Sequence, residues 1–160
     1  MSQEFTHLDS AGNPTMVDVG GKSVTRRMAR ARATVILGHE IMDKLENEEI
    51  HTKKGPVFQT AILAGIMASK KTGELIPLCH PLGLDNCQVL IHVNDEREVV
   101  IDCTARITAR TGVEMEALTG ATVAALTVYD MCKAFSHDIV IREVKLMEKS
   151  GGKRDFKRGE

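Results

Sequence analysis

The chain has 160 residues, a length that predicts one domain, residues 1–160, with a real hydrophobic core. Its net charge of -1 gives no global basic field for nucleic acid, and four Phe, one Tyr and no Trp leave few stacking platforms for single strands. Charged residues at 27% and hydrophobic residues at 42% are ordinary for a water-soluble domain.

MSQEFTHLDS has neither a basic leader region nor an apolar one, so no signal peptide is expected. Residues 1–13 and 154–160 are polar and expected to be flexible. Residues 25–37 alternate, with Thr25, Arg27, Ala29, Ala31, Ala33, Val35 and Leu37 on one face and Arg26, Arg30 and Arg32 on the other, which predicts a strand. Gly38 ends it, and a short helix is expected over 39–46, then a turn at Lys53-Lys54-Gly55-Pro56. Helical spacing returns over 57–71. Two prolines in IPLCHPLG, residues 76–83, exclude helix there. Residues 86–94 and 99–108 alternate around a turn and read as a hairpin. A helix is predicted over 115–134 and a last strand over 138–148. Without the short first helix, the order is βαββαβ. The expected fold is therefore α+β, a ferredoxin-like split βαβ with an antiparallel sheet packed by helices.

The Ala117–Tyr129 run is uncharged but short and rich in Thr and Ala, so a buried helix is expected rather than a membrane span. The cytoplasm is the expected location. Cys79, Cys87, Cys103 and Cys132 form no C-x-x-C pair, which fits free thiols in a reducing compartment and no metal site. Cys87 and Cys103 fall on core faces and read as packing.

Chemistry-bearing residues stand out against this frame. ALTVYDMCKAF, residues 125–135, carries Asp130 and Lys133 three apart on an otherwise apolar helix. They read either as a surface ion pair or as an acid/base pair tuned by partial desolvation. Arg27 lies on the alanine face of its strand, where it either snorkels at the strand end or needs an anion or a carboxylate. His80 sits before a proline, in a loop that either leaves it simply exposed or presents its imidazole rigidly to a ligand. Cys79 beside it points the other way along an extended chain, which argues against a Cys–His nucleophile. Glu114 and Glu116 bracket Met115 at a helix entry, where they either complement the dipole or accept hydrogen bonds from a guanidine-like ring edge. KSGGK, residues 149–153, can converge N–H and ammonium groups on phosphate, or be a flexible tail. VGGKS at 19–23 is only a P-loop look-alike, because Met16 stands where the first glycine would be.

Taken together, MVDV at 16–19, T-x-R-x-A-x-A at 25–31, KG at 54–55, LIPLCHPL at 75–82, TGVEMEALT at 111–119, AALTVYDMCKA at 124–134 and KSGGK resemble the cyclic pyranopterin monophosphate synthase family of molybdenum cofactor biosynthesis. The resemblance runs along nearly the whole chain. It implies a 3′,8-cyclised dihydro-GTP substrate made by a separate radical cyclase, rearrangement to a pyranopterin with a cyclic phosphate, and release of pyrophosphate. It implies Asp130 and Lys133 as the catalytic pair. Leu78, Cys79, His80, Met115 and Glu116 would contact substrate, with Arg27, Lys54, Glu114 and Lys149 as further pocket residues. Of these, Lys54, Lys149, Arg27 and His80 would hold the triphosphate. It also implies a hexamer, a trimer of dimers with the active site at the dimer interface. No nucleic acid, membrane, resident metal or redox cofactor is implied, Mg²⁺ with the triphosphate being the one candidate ion. This chain departs from the family pattern in Arg110 for a frequent lysine, Gly120 for a usual alanine, Arg142-Glu143 for a frequent Gly-Pro, and a shorter tail. A rival from another class is a ferredoxin-like sensor that binds a nucleotide without turning it over. Such a sensor needs cations for phosphate but no acid/base couple.

Overall fold

A computed structural model of the chain describes residues 7–159; residues 1–6 of the segment expected to be loose, and Glu160, lie outside the described residues. The long first strand β1 (Thr25–Ile36) forms as its alternation predicts, and Ala29, Ala31, Ala33 and Val35 on its inner face are fully buried. After a one-turn helix α1 (His39–Met42) come three short strands, β2 (Leu45–Glu46), β3 (Glu49–Thr52) and β4 (Gly55–Pro56), which pair into a small antiparallel sheet of their own. Their brevity hides them from periodicity, so the expected 39–46 helix stops early. Helix α2 (Val57–Ser69) follows directly, and a single turn α3 (Thr72–Leu75) leads into the proline loop. The hairpin is β5 (Asn86–Val93) and β6 (Val99–Ala109). Helix α4 (Glu114–Cys132), strand β7 (Val140–Ser150) and a two-residue strand β8 (Phe156–Lys157) complete the chain.

The main sheet is antiparallel throughout, in the order β5-β6-β1-β7-β8. Without β8, this is the ferredoxin-like order, with the last strand outside the first and the third between first and second. The fold expected from the sequence is the fold observed. β8 pairs within the tail segment, Phe156 opposite Lys149.

α4 lies over the centre of the sheet, on β1, β6 and β7, and α2 packs beside it against β5. Small residues allow this approach: the α4 side contributes Ala117, Ala121, Ala124 and Ala125, all fully buried. Between the helices, a Cβ on Gly65 would meet Gly120 O at 2.9 Å. Gly120 is tighter still, since an added Cβ would lie 2.3 Å from Ser69 Oγ and 2.5 Å from Cys103 Sγ. That accounts for a glycine inside a helix, a choice that costs about 1 kcal/mol of propensity relative to alanine. On the opposite face of the sheet, Arg32 forks onto Asp102 with two 3.0 Å contacts, and Arg30 joins the same carboxylate at 3.0 Å. The cationic face read from the sequence is thus partly neutralised by a strand neighbour. No described helix is long and apolar enough to cross a membrane.

Candidate active site

The N-terminal end of α4 faces a cavity of about 500 Å³. A turn in which Cys79 N donates to Ile76 O at 3.1 Å lays the 76–83 loop against the helix start, so Leu78, Cys79 and His80 line the cavity together with Glu114, Met115 and Glu116. His80 Nε2 lies 2.8 Å from Val17 O, and since a carbonyl only accepts, this nitrogen carries the hydrogen. Glu116 is 3% exposed. Burial pushes its carboxyl above the ordinary value, the Glu114 charge adds to this, and its own backbone N–H and His80 oppose it. The Cys79 thiol is likewise pushed up, by burial and then by Glu116, so it is no ready nucleophile.

A second cavity of about 570 Å³ shares Gly112 and Glu114 with the first and is lined by Arg27, Lys149, Lys153 and Arg154. Arg27 Nε donates to Ala109 O at 3.2 Å, leaving the rest of its guanidinium for the cavity. Lys149 Nζ lies 3.0 Å from Glu114 Oε1. The glycine turn of KSGGK is a structural requirement: Gly151 has φ +84°, and a Cβ there would lie 1.9 Å from Arg26 O. Thr25 Oγ1 donates to Gly151 O at 2.7 Å and latches the turn to β1. Lys153 and Arg154, just before the short tail, stand on this cationic wall.

The other end of α4 carries the second cluster. Asp130 sits between two ammonium groups: Lys133 Nζ is 2.7 Å from Oδ1, and Lys54 Nζ donates to Oδ2 at 2.8 Å and to Asp130 O at 3.3 Å. Lys54 is brought there by the tight β3–β4 turn, where Lys54 N donates to Thr52 Oγ1 at 3.1 Å. The hydrogen bond and charge of Lys133, then those of Lys54, lower the Asp130 carboxyl to about 2, and Asp130 in turn raises Lys133. Of the two readings open from the sequence, the geometry is that of a surface ion pair, and the partial desolvation of the other is not found. The side chains are 51% and 54% exposed, because they lie on the outward face of a last turn whose Met131 and Cys132 are buried in the core, and ion pairing rather than burial sets both shifts.

One chain therefore gathers the expected residues into two groups. Leu78, Cys79, His80, Glu114, Met115, Glu116, Arg27 and Lys149 meet at the start of α4; Lys54, Asp130 and Lys133 meet at its end. Lys54 does not join Arg27 and Lys149, as a common phosphate role would require within one chain. Sequence reasoning passed over Val17, Val19 and Lys22, which line the first cavity. The only signal for them was the MVDV stretch, and Lys22 lay inside the segment set aside as a P-loop look-alike.

Residues 16–152 match the model of the MoaC family, a span that holds every residue of both groups. The chain belongs to the MoaC family. This MoaC-family chain is 53% identical over 155 residues to a protein of Xanthomonas oryzae pv. oryzae named cyclic pyranopterin monophosphate synthase, covering 97% of this chain and 94% of that one. It is 45% identical over 169 residues to molybdenum cofactor biosynthesis protein 1 of Dictyostelium discoideum, covering 95% of this chain and 27% of that protein. A molybdenum cofactor biosynthesis bifunctional protein of Synechocystis is 50% identical over 155 residues, covering 94% of this chain and 45% of that protein. The MoaC module thus occurs both alone and as part of longer chains, and the family expected from the motifs is the family found.

Proposed function

We propose that this chain is a cyclic pyranopterin monophosphate synthase, converting 3′,8-cyclised dihydro-GTP to cyclic pyranopterin monophosphate with release of pyrophosphate. The observation that carries this reading is the Asp130 carboxylate held between the ammonium groups of Lys54 and Lys133. A sensor needs cations for phosphate; it has no use for a proton donor–acceptor set at the far end of the helix from its cationic wall. The full-length relatives of that name support the same reading.

In this reading, Arg27, Lys149, Lys153 and Arg154 receive the triphosphate, and their charges offset the charge that builds on the leaving pyrophosphate. Glu114 and Glu116 face the guanine-derived ring, whose N–H edges need acceptors. Glu116, whose carboxyl burial raises, keeps its proton to higher pH than an ordinary glutamate and is suited to hold or hand one over. Lys133, held as an ammonium by Asp130, serves first as an acid and can take a proton back only after giving that one up. No redox step is required, because the reaction is a rearrangement with phosphoryl transfer.

The two groups are separated along α4 by the 14 residues from Glu116 to Asp130, about 21 Å at 1.5 Å per residue. A reacting ring and ribose are shorter than that. The complete site is therefore assigned to two subunits, the start of α4 from one and the end of α4 from its partner, in a homo-oligomer that the family resemblance makes a trimer of dimers. The direct test is incubation with the cyclised intermediate, reading pyrophosphate and product mass. Bound but unconverted substrate would return the protein to the sensor class.

A further inference from the structure

Helix α2 starts without a cap of its own. Its N-cap is Pro56, which has no side-chain oxygen, and its first turn holds no acidic residue. Exposed N–H groups at a helix start need acceptors, and negative charge there is favourable. Both are supplied from a distance by Glu49, the first residue of β3: Oε1 accepts from Phe58 N at 2.8 Å and Oε2 from Gln59 N at 3.1 Å. Oε1 also accepts from Ile50 N at 2.8 Å, which fixes the carboxylate against its own strand. Ile50 is fully buried and anchors that strand in the core.

The consequence lies in what Glu49 closes. From Glu49 the chain runs out along β3, turns at 53–54, returns along β4 and enters α2. The carboxylate ties the two legs of this hairpin together at the base, and Lys54 stands at the tip. The same carboxylate lies near the end of α4, since its charge, after burial, helps push the Cys132 thiol up to about 11. We infer that Glu49 is a positioning residue, a clamp whose grip on the start of α2 sets Lys54 against Asp130. The catalytic meaning of that contact rests on the function proposed above; the clamp itself does not.

The experiment separates clamping from capping. Pro56 has φ −72° and ψ 126°, the extended backbone of an N-cap residue, so Pro56→Asp can cap Phe58 and Gln59 locally. In the double variant Glu49→Ala/Pro56→Asp the helix start is satisfied but the hairpin base is open. Asp130 is then titrated by carbon NMR in aspartate-labelled protein, beside wild type, Lys54→Ala and Glu49→Gln, with thermal midpoints measured throughout. Lys54 and Lys133 are the charged groups facing Asp130, with Tyr129 next to Lys133. The double variant is expected to melt like wild type, yet to show the Asp130 carboxyl raised as far as in Lys54→Ala, with no further rise when Lys54→Ala is added. Glu49→Gln, which keeps one accepting oxygen, should fall between. Turnover should fall in step with the titration shift. Lys54→Ala separates the two readings: a raised Asp130 with intact turnover sinks the catalytic role and leaves the clamp supported. The clamp is overturned if Asp130 titrates as in wild type once the local cap is present, because Glu49 would then be no more than a distant helix cap.

Discussion

At the scale of single residues, the two ends of α4 work by opposite electrostatics. Asp130 and Lys133 are exposed and hold each other charged, so their value lies in what they hand to a ligand rather than in stability. Lys133→Ala is expected to cut single-turnover product formation by about 10²–10⁴-fold, the usual range for a lost acid or base, with the melting temperature nearly unchanged. Wild-type rates in the mutant would remove Lys133 from the mechanism. Glu116 is the reverse case. Its carboxyl is raised in the folded chain above the ordinary 4.5, chiefly by burial. As pH rises past 4.5 the unfolded chain releases this proton while the folded chain keeps it, so stability falls with pH until the folded carboxyl also ionises. Glu116→Gln should therefore melt higher than wild type at pH 7 and equal to it near pH 4, while losing activity. A melting point that is lower at pH 7 would mean that the charged form is favoured.

At the scale of elements, α4 and β1 show what was legible and what was not. Alternation in 25–37 and the apolar run after Met115 marked both elements to within about two residues, because each has one long buried face. The three short strands before α2 escaped, since strands of two to four residues carry too little period to read and are defined by partners rather than by pattern. The meeting of Lys54 with Asp130 escaped for the same reason: nothing local says that a β-turn will reach a residue 76 positions away. Burial of Glu116 was equally invisible, because an acid at a helix start is normal on dipole grounds alone. Gly120 could be read as a departure but not explained until Ser69 and Cys103 were seen against it. Gly120→Ala should gain up to about 1 kcal/mol of helix propensity and lose about 1–3 kcal/mol to overpacking, a net loss by denaturant melts. In a Ser69→Ala/Cys103→Ala background the same change should cost much less; an equal cost in both would place the clash elsewhere.

At the scale of the whole molecule, the division of the site is the main consequence. On the function proposed above, a chain that carries Glu116 and Asp130 about 21 Å apart along one helix needs a second copy to bring both to one small ring. Two-fold pairing would build two complete sites at once. The check is complementation between Asp130→Asn and Glu116→Gln subunits, each inactive alone. After mild dissociation and mixing, activity should return, because some interfaces will pair an intact helix start with an intact helix end. Verified exchange without activity would confine each site to one chain.

The seam between β1 and α4 has a further property. Alanine has no χ1, so a seam whose strand side is Ala29, Ala31 and Ala33, beneath a helix with four fully buried alanines, contains little that can rotate out of the way. Strain introduced there has no local outlet and must be passed on as rigid-body movement of the helix. Ala31→Val should cost about 1–3 kcal/mol, as overpacking does elsewhere. It should also depress turnover well below its melting temperature, because the helix that moves carries both halves of the chemistry. In this protein an inert methyl wall is the gauge block from which the reactive groups take their positions.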